Sequence, residues 1–304
     1  MSQTRSSGDA VADRRFAWAM EYKAAGDLAA ATELVEQALE IAGGWAAGWL
    51  TLGELNEVRG EREQAVSAYR RSLTLDPADL AGAAARLARL GEHPAEGAVS
   101  AAHVAALFDD YAARFETSLV QGLAYRGPDL LREALARHRR PLAFGHAIDL
   151  GCGTGLAAQA LRDVCTSMDG VDLSAGMLAE ARRKGLYRSL VQADVGTFLE
   201  DAAGGSADLI VSADVFVYIG DLADIFRLAA RVLSVGGLFA FSVQRHEGPA
   251  PFVVGQDLRY AHGAQAIAAW AAASGLAILS LEQASTRLDA GSPVPGLIGV
   301  LRRA

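Results

Sequence analysis

Between residues 145 and 243 the chain alternates short apolar runs with segments whose apolar positions recur every three to four residues. The first pattern is typical of buried strands, and the second of helices that bury one face. We therefore predict strands at 145–150, 167–172, 189–193, 208–213 and 238–243. The helices predicted between them lie at about 154–164, 174–184, 195–202 and 221–234. This alternation predicts a parallel sheet with helices on both faces.

The pattern changes after residue 243. A predicted helix at 264–274 is followed by two longer predicted strands, at 276–286 and 296–303. The connection DAGSPVPG is rich in turn-forming residues and suits an antiparallel hairpin. Residues 263–281 carry no charge over 19 positions, a length that can span a bilayer. Because alanines dominate this segment and polar residues interrupt it, we interpret it as a helix that ends at Gly275 and a buried strand.

Before this α/β region, the segment HVAALFDDYAARFETSL has apolar residues at helical spacing. They are Val104, Leu107, Phe108, Tyr111, Phe115 and Leu119. Packing in a core is the simplest role for these side chains. We interpret residues 92–102, just before the segment, as a linker.

The first ninety residues repeat with a period of 34, which is the period of tetratricopeptide repeats. In the second copy the signature positions are filled by Trp49, Leu52, Gly53, Ala65, Tyr69 and Pro77. Small residues let paired helices approach closely, and Tyr69 is expected to fill the gap between them. Residues 12–91 thus resemble about two repeats and a capping helix at 80–90. Peptide binding, oligomerisation and a purely structural role all stay open.

Composition limits the classes of function. With 304 residues, 51% of them hydrophobic, the chain can bury a full core and is expected to form one large and one smaller domain. The net charge of −8 argues against a large phosphate-binding surface. The two cysteines, Cys152 and Cys165, form neither a disulfide framework nor a metal cluster and fit a reducing cytoplasm. Residues 1–11 are polar, show no secretory signal and are expected to be disordered.

Candidate chemistry begins at AIDLGCGTGLAA, residues 147–158, where three glycines follow a predicted strand. Four acids lie at or just past the ends of predicted strands: Asp149, Asp172, Asp194 and Asp214. Ligands of open α/β sheets bind at that edge. The nicotinamide dinucleotide fingerprint would need a glycine where Leu156 stands, and no G-K-[ST] of a Walker loop follows. A pyrophosphate ligand is therefore disfavoured.

Five segments resemble, in order and spacing, the successive motifs of class I S-adenosylmethionine-dependent methyltransferases: AIDLGCGTGLAA, MDGVDLSAGMLAEAR, LVQADV, ADLIVSADVFVYIGDL and RVLSVGGLFAFSV. The resemblance covers about residues 103–304. The repeats, FDDYAARFE and LAYRGPDLL resemble bacterial tetratricopeptide-containing methyltransferases, and YRGPDLL is similar to the Williams–Beuren-region methyltransferase-like proteins. The resemblance implies a Rossmann-like seven-stranded methyltransferase sheet with an antiparallel last strand, preceded by a small all-α tetratricopeptide-repeat domain.

The resemblance also implies S-adenosylmethionine as cofactor, with S-adenosylhomocysteine as product. Asp149 would anchor its amino group, and Asp172 would accept hydrogen bonds from the ribose hydroxyls. Met177 would cover the adenine, while Asp194 and the backbone of Val195 would bind the adenine edge. The remaining implied contacts are Gly151, Cys152, Gly153, Gly155, Leu173, Ala213, Asp214, Tyr111 and Arg126.

Simpler structural roles stay open for several of these residues. Asp149 suits a loop cap, Asp194 suits a helix N-cap, Cys152 suits a small loop residue, and Tyr111 suits a core position. The cofactor assignments are therefore predictions about the residues of one sheet edge.

The segment DLRYAHG supplies the candidates for catalysis: Arg259, Tyr260 and His262. A general base is needed only if the acceptor atom starts with a proton, and His262 would then remove it. Arg259 would bind a carboxylate or phosphate of the substrate. Tyr218, outside this segment, is a candidate catalytic residue of second rank. A hydrogen-bonded loop clamp is the structural alternative, and no metal site is expected.

The residues at the end of the fourth predicted strand limit the classes of methyl acceptor. Methyltransferases that act on adenine, cytosine or glutamine amino groups carry [DNS]-P-P-[YFW] at its end, where this chain has SADV. Together with the acidic net charge, this makes a nucleic acid partner unexpected, and no membrane partner is expected either. A small molecule, a carrier-bound acid or a peptide stays open as acceptor, with oxygen or nitrogen as the methylated atom. The alternative is a cofactor-binding scaffold or assembly factor whose repeats recruit a protein partner; the oligomeric state is left open.

Overall fold

A computed structural model describes residues 6–116 and 124–304 of the chain. Contacts divide the chain into two compact units, one ending at His103 and the other beginning at Val104. Leu119, which the helical spacing above includes, lies outside the described residues.

The first unit contains five complete α-helices in its described part: α1 (Ala10–Ala24), α2 (Leu28–Ile41), α3 (Ala46–Val58), α4 (Arg62–Leu75) and α5 (Ala83–Arg89). Helix α1 packs on α2, α3 packs on α4, and α2 joins the two pairs by packing on α3. The Asp9 side chain caps α1 by accepting hydrogen bonds from the backbone N–H groups of Val11 and Ala12. Residues 10 and 11 are therefore helical, although the sequence predicts disorder there.

The helix pairs follow the period seen in the sequence. Helices α2 and α4 begin 34 residues apart, and each pair turns at a glycine with positive φ, Gly26 at 84° and Gly60 at 79°. Gly53 lies against the ring of Tyr69, and a Cβ at position 53 would be 2.4 Å from Cε1 of that ring. The close approach of α3 and α4 therefore depends on Gly53, as the sequence predicts.

The second unit alternates strands and helices. Its strands are β1 (Phe144–Leu150), β2 (Cys165–Asp172), β3 (Ser189–Gln192), β4 (Ala207–Ser212), β5 (Leu233–Arg245), β6 (Phe252–Val254), β7 (Tyr260–His262), β8 (Leu276–Ala284), β9 (Leu288–Asp289), β10 (Ser292–Pro293) and β11 (Gly296–Arg303). Its helices are α6 (Ala101–Tyr111), which starts before the boundary, α7 (Gly127–His138), α8 (Leu156–Leu161), α9 (Ala175–Lys184), α10 (Val195–Asp201), α11 (Ala223–Val232) and α12 (Ala264–Ala273).

The main sheet has the strand order β3-β2-β1-β4-β5-β11-β8. The first five strands of this order, β3, β2, β1, β4 and β5, run parallel to one another. Strand β11 is antiparallel to both β5 and β8. The predicted parallel sheet, the Rossmann-like order and the antiparallel last strand are confirmed. Because β1 lies between β2 and β4, the carboxyl ends of these three strands meet at the point where the order reverses direction.

Strands β6 and β7 are not predicted from the sequence. They form a hairpin, and β7 also runs parallel to β5, where Ala261 pairs with Gln244. Three residues are too few to show a strand period. Tyr260 and His262 are the end residues of β7, and both are buried.

The core lies on both faces of the sheet, because alternate residues of a strand point to opposite sides. On one face Phe239 and Phe241 of β5 contact Phe216 and Phe226, with ring centres 5.3 to 6.0 Å apart. On the other face β5 contributes small and aliphatic side chains that pack under α7 and α8. Burying one such ring contributes about 1.5–3 kcal/mol.

Among the described residues, no helix has both the length and the apolar character needed to cross a membrane. The uncharged segment 263–281 instead forms α12 and the first part of β8, as the sequence predicts.

Candidate active site

The glycine loop after β1 is held in a conformation that favours glycine at three positions. Gly151, Gly153 and Gly155 have φ values of 68°, 52° and 92°. A Cβ at position 151 would lie 2.3 Å from Cγ2 of Val215, so the loop packs directly on the segment that follows β4. A Cβ at position 153 would have no neighbour within 4 Å. The backbone at Gly153 is therefore open to an approaching ligand.

Asp172, the last residue of β2, fixes this loop. Its Oδ2 accepts a hydrogen bond from the backbone N–H of Gly153, and its Oδ1 accepts one from the backbone N–H of Ser174, both at 2.8 Å. Burial raises the pKa of this carboxyl, while the backbone N–H groups favour its charged form. Each oxygen keeps a second lone pair, so the side chain can still accept hydrogen bonds from ligand hydroxyls.

Asp149 lies beneath the loop and is almost fully buried. The hydroxyl of Tyr187 donates to its Oδ2 at 2.6 Å. Burial raises the pKa of Asp149 to about 7, a shift that the Tyr187 hydrogen bond opposes and that the charge of Asp172 increases. Tyr187 also lies beneath Gly155 and was not identified from the sequence, because it is 38 residues away from Asp149 and follows no motif.

Cys152 supports the loop from inside. Its side chain is buried beside Gly170, and burial raises the pKa of its thiol well above the ordinary range. The thiol is therefore neutral and unreactive at physiological pH, which agrees with the role of a small loop residue.

The implied adenine contacts and Leu173 lie after β2 and β3, in α9, in α10 and in the connections that lead to these helices. Met177 and Val195 are buried, and the main-chain oxygen of Leu173 accepts a hydrogen bond from Gln192 Nε2 at 3.1 Å. Asp194 caps α10: its Oδ1 accepts hydrogen bonds from two backbone N–H groups of the first turn, at 2.8 and 3.4 Å. This is the N-cap role that the sequence left open, and the adenine contact stays a prediction.

Helix α6 attaches to the same edge through Asp109, which was not identified from the sequence. Its Oδ1 accepts hydrogen bonds from Ser174 Oγ at 2.5 Å and from the backbone N–H of Gly176 at 3.0 Å, at the start of α9. Further along the edge, the ring centre of Phe108 lies 5.4 Å from the ring centre of Tyr218. Helix α6 therefore lies across the carboxyl edge of the sheet, from α9 to the turn after β4.

Tyr111 ends α6 in an aromatic contact. Its ring centre lies 5.8 Å from that of Phe115, and the Arg114 guanidinium carbon lies 5.6 Å from the Tyr111 ring centre. These contacts agree with the packing role, and the cofactor contact stays a prediction.

At the start of α7 the side chain of Arg126 points to solvent, whereas that of Tyr125 points into the protein. The Arg126 side chain is 60% exposed and lies 3.7 Å from Glu133 in α7. Burial raises the pKa of the Tyr125 hydroxyl well above its ordinary range, and the charges of Asp214 and Arg287 also act on it. The YRGPDLL motif thus brings Tyr125, rather than the side chain of Arg126, to the carboxyl edge.

Asp214 follows β4 and Ala213 with a left-handed backbone, at a φ of 57°. Its carboxylate accepts hydrogen bonds from Ser242 Oγ and Thr286 Oγ1 at 2.9 to 3.0 Å and from Arg287 Nη1 at 3.2 Å. A non-glycine residue in this conformation is held by its surroundings and is frequent at functional sites. Arg287 comes from the connection after β8, which sequence patterns do not link to β4.

Arg259 is the predicted catalytic-segment residue that does reach this region. Its guanidinium carbon lies 5.6 Å from the Tyr218 ring centre, and the two side chains also interact through the Tyr218 hydroxyl. Burial raises the pKa of Tyr218, so its phenol is protonated at neutral pH.

The other two residues of the predicted catalytic segment, Tyr260 and His262, are buried. His262 is 0% exposed, and its Nε2 lies 3.0 Å from the backbone oxygens of Ile219 and Gly220. Burial lowers the pKa of His262 to about 4, so the ring is neutral and its Nε2–H donates to those oxygens. Tyr260 is buried against Phe252. These contacts form the hydrogen-bonded clamp of the alternative interpretation; an acceptor has no access to His262 as a base.

The described residues contain no group of three or more His, Cys, Asp or Glu side chains that could hold a metal ion.

The glycine loop and the strands that follow it lie in a segment that matches a known protein family. Residues 148–241 match the family model described as a methyltransferase domain. A malonyl-[acyl-carrier protein] O-methyltransferase of Enterobacter lignolyticus is 34% identical over 120 residues, which are 40% of this chain and 45% of that protein. A trans-aconitate 2-methyltransferase of Rhizobium etli is 33% identical over 122 residues, which are 40% of this chain and 44% of that protein. The chain thus spans less than half the length of these curated relatives.

A solved structure extends the likeness in fold. The 1,6-didemethyltoxoflavin-N1-methyltransferase of Burkholderia thailandensis, with bound 1,6-didemethyltoxoflavin and S-adenosylhomocysteine, superposes with a TM-score of 0.51. The match covers 66% of this chain and 89% of that one at 16% identity. The second unit therefore has the S-adenosylmethionine-dependent methyltransferase fold, and the predicted resemblance is confirmed for this domain.

Proposed function

We propose that the protein is an S-adenosylmethionine-dependent methyltransferase that transfers the methyl group to an oxygen or nitrogen atom of its acceptor. The observation that carries the proposal is the loop at Gly153, which is open above its backbone and is held from below by Asp172. This loop lies within the segment that matches the methyltransferase domain.

The residues of the edge fit the cofactor. Asp149 and Asp172 would offer carboxylate oxygens to the ammonium and hydroxyl groups of the cofactor. The glycines would let the cofactor come close to the backbone of the loop. When bound, the cofactor supplies a methyl group that its sulfonium already activates. The protein then has to place the acceptor atom in line with that methyl group at about 3–3.5 Å and to exclude water.

The proton of the acceptor is the remaining question. His262 is enclosed, and the Asp214 carboxylate is bound by Ser242, Thr286 and Arg287. An acceptor whose nucleophilic atom carries no proton at neutral pH suits such an edge, because no base is then required. The names of the two curated relatives support small or carrier-bound acceptors.

The test is transfer of a labelled methyl group from S-adenosylmethionine to a panel of carboxylic acids, phenols, amines and peptides. Label in an acceptor, lost in Asp172→Ala, is the expected result. Cofactor binding without label in any acceptor would favour the alternative, in which the chain is a scaffold.

The helical unit gives the scaffold alternative a specific surface. Helices α1 and α2 line a groove of about 640 Å³ that includes the half-exposed aromatic rings of Trp18 and Tyr22 and the acidic side chains of Glu21 and Glu33. Aromatic and acidic groups together suit a basic peptide with an apolar anchor. We propose this groove as the docking surface of the predicted tetratricopeptide-like helices. Unchanged peptide binding in the double variant Trp18→Ala, Tyr22→Ala would exclude it.

A further inference from the structure

Two arginines reach the carboxyl edge near Asp214, and their charges are balanced differently. Arg287 is 5% exposed and lies between two carboxylates, 3.2 Å from Asp214 Oδ2 and 3.5 Å from Asp257 Oδ2. Asp257 also accepts a hydrogen bond from Gln244 Nε2 at 2.9 Å. Arg287 is therefore fully compensated by residues of the chain itself.

Arg259 has no such counter-ion. Within residues 6–116 and 124–304, no carboxylate lies within ion-pair distance, 4.0 Å, of its guanidinium group. Asp257 Oδ1 accepts a hydrogen bond from the backbone N–H of Arg259 at 3.2 Å, whereas the charges of Asp257 and Asp214 act on its guanidinium group from beyond ion-pair distance and raise its pKa. The side chain is half-buried on the Tyr218 ring. Tyr218 is a neutral partner, and a partly desolvated cation without a carboxylate at ion-pair distance is costly, so an anion supplied by a ligand would relieve that cost.

The neighbouring polar groups are donors as well. Burial raises the pKa values of Tyr218 and Tyr125, so both phenols carry their protons at neutral pH. The carboxylate of Asp214 is occupied by its own donors. The groups left to a ligand are thus one guanidinium fork and phenolic O–H groups, which together complement an oxyanion.

We propose that Arg259 and Tyr218 form the binding site for a carboxylate group of the methyl acceptor. This inference rests on the proposed methyltransferase function. A carboxylate carries the single negative charge that one guanidinium neutralises. A phosphate dianion would leave an excess charge beside Asp214 and Asp257, so a carboxylate fits better.

The site is close to the glycine loop. Val215, one residue after Asp214, contacts Gly151. Tyr218 lies only three residues after Val215, at the end of the short turn Phe216–Tyr218. On its other side Tyr218 contacts Phe108 of α6. An acceptor anchored by its carboxylate at Arg259 would therefore lie between the loop and the helix that covers the edge.

The experiment is a calorimetric titration of the protein saturated with S-adenosylhomocysteine. The probes are matched pairs, benzoate with benzamide and glutarate with glutaramide, together with phenyl phosphate. We expect at least one acid to bind about tenfold or more tightly than its amide. We expect Arg259→Met to remove this preference and Arg259→Lys to keep part of it, since Lys retains charge without the planar fork. Arg227→Met, on the exposed face of α11, is the control and should bind the acid as the unmodified protein does.

Three results would overturn the inference: acids that bind no better than their amides, an acid preference that survives in Arg259→Met, or phenyl phosphate binding more tightly than either acid. S-Adenosylhomocysteine is titrated first into the same sample. Its failure to bind would count against the proposed function, and the acids would then be titrated into the protein alone, where the Arg259 comparison still decides the inference.

Discussion

At the residue scale, Gly151 and Gly153 share a left-handed backbone but differ in their surroundings. An alanine at either position meets backbone strain of about 1–2 kcal/mol. At position 151 the new Cβ also meets Val215, and overpacking adds about 1–3 kcal/mol. We predict that Gly151→Ala lowers the free energy of unfolding by about 2–5 kcal/mol and Gly153→Ala by only about 1–2 kcal/mol. Urea denaturation measures both, and equal losses would contradict the packing assigned to the loop.

The double variant Gly151→Ala, Val215→Ala is the matched control. Removing the Val215 methyl groups should restore part of the stability that Gly151→Ala loses. The backbone strain would remain, so recovery is expected to be incomplete.

Asp149 predicts a pH dependence. Its pKa is about 7 in the folded protein and 3.8 in the unfolded chain, so between these values the folded state holds a proton that the unfolded state has released. Stability is therefore lost as the pH rises from about 4 to 7. Asp149→Asn lacks this loss, and we predict that its advantage over the unmodified protein grows from pH 4 to pH 8 by roughly 4 kcal/mol at most. An advantage that stays constant with pH in urea titrations would show that Asp149 titrates normally.

The site residues that the sequence predicts follow strands, whereas the residues that it does not predict reach the site from distant positions in the chain. Asp149, Asp172 and Asp214 were found because each lies at or just past the end of an apolar run, and such ends meet at one edge. Tyr187 and Arg287 were missed because they reach these acids across 38 and 73 residues, with no motif between them. His262 was misassigned because its residue type suggests chemistry, whereas its burial is visible only in three dimensions.

At the element scale, the aromatic core ties α11 to the sheet. Phe226 contacts Phe239, Phe241 and Trp270, with ring centres 5.3 to 6.1 Å apart. We predict that Phe226→Ala lowers the free energy of unfolding of the second unit by about 3–5 kcal/mol. Val235→Ala, at a side chain that is 77% exposed, should change it by less than about 0.5 kcal/mol. A comparable loss in both variants by urea denaturation would contradict this core.

Helix α6 depends on one carboxylate. Asp109 bonds Ser174 and Gly176 at the start of α9, where a negative charge also interacts favourably with the helix dipole. Losing such a contact costs about 0.5–2 kcal/mol. We therefore predict that Asp109→Ala speeds amide hydrogen exchange in α6 by roughly 2- to 30-fold and leaves β5 unchanged. Equal rates in α6 before and after the substitution would mean that Asp109 does not hold the helix.

Long elements were predictable and short ones were not. Strands β1, β2 and β4 and helices α9 and α11 repeat their period often enough to be recognised. Strands β6 and β7, at three residues each, form because β5 extends beyond the main sheet to Arg245 and offers β7 an edge. Their existence depends on a neighbour rather than on their own sequence.

At the scale of the whole molecule, two units carry separate properties. The first has the glycine turns and the aromatic, acidic groove between α1 and α2. The second has the methyltransferase fold, with Asp172 at the carboxyl edge of its sheet and Arg259 on the ring of Tyr218. We expect substitutions in the groove, such as Trp18→Ala, to leave cofactor affinity unchanged, which a titration with S-adenosylhomocysteine checks. A clear loss of affinity would contradict the separate roles.

The central claim is that the glycine loop and Asp172 hold S-adenosylmethionine. Its most direct test is calorimetric titration of the purified protein and of Asp172→Ala with S-adenosylmethionine, S-adenosylhomocysteine and NAD. We predict dissociation constants in roughly the micromolar range for the first two ligands, at least about tenfold weaker binding in Asp172→Ala, and no binding of NAD. Binding of NAD, or the absence of binding by both S-adenosyl compounds, would contradict the claim.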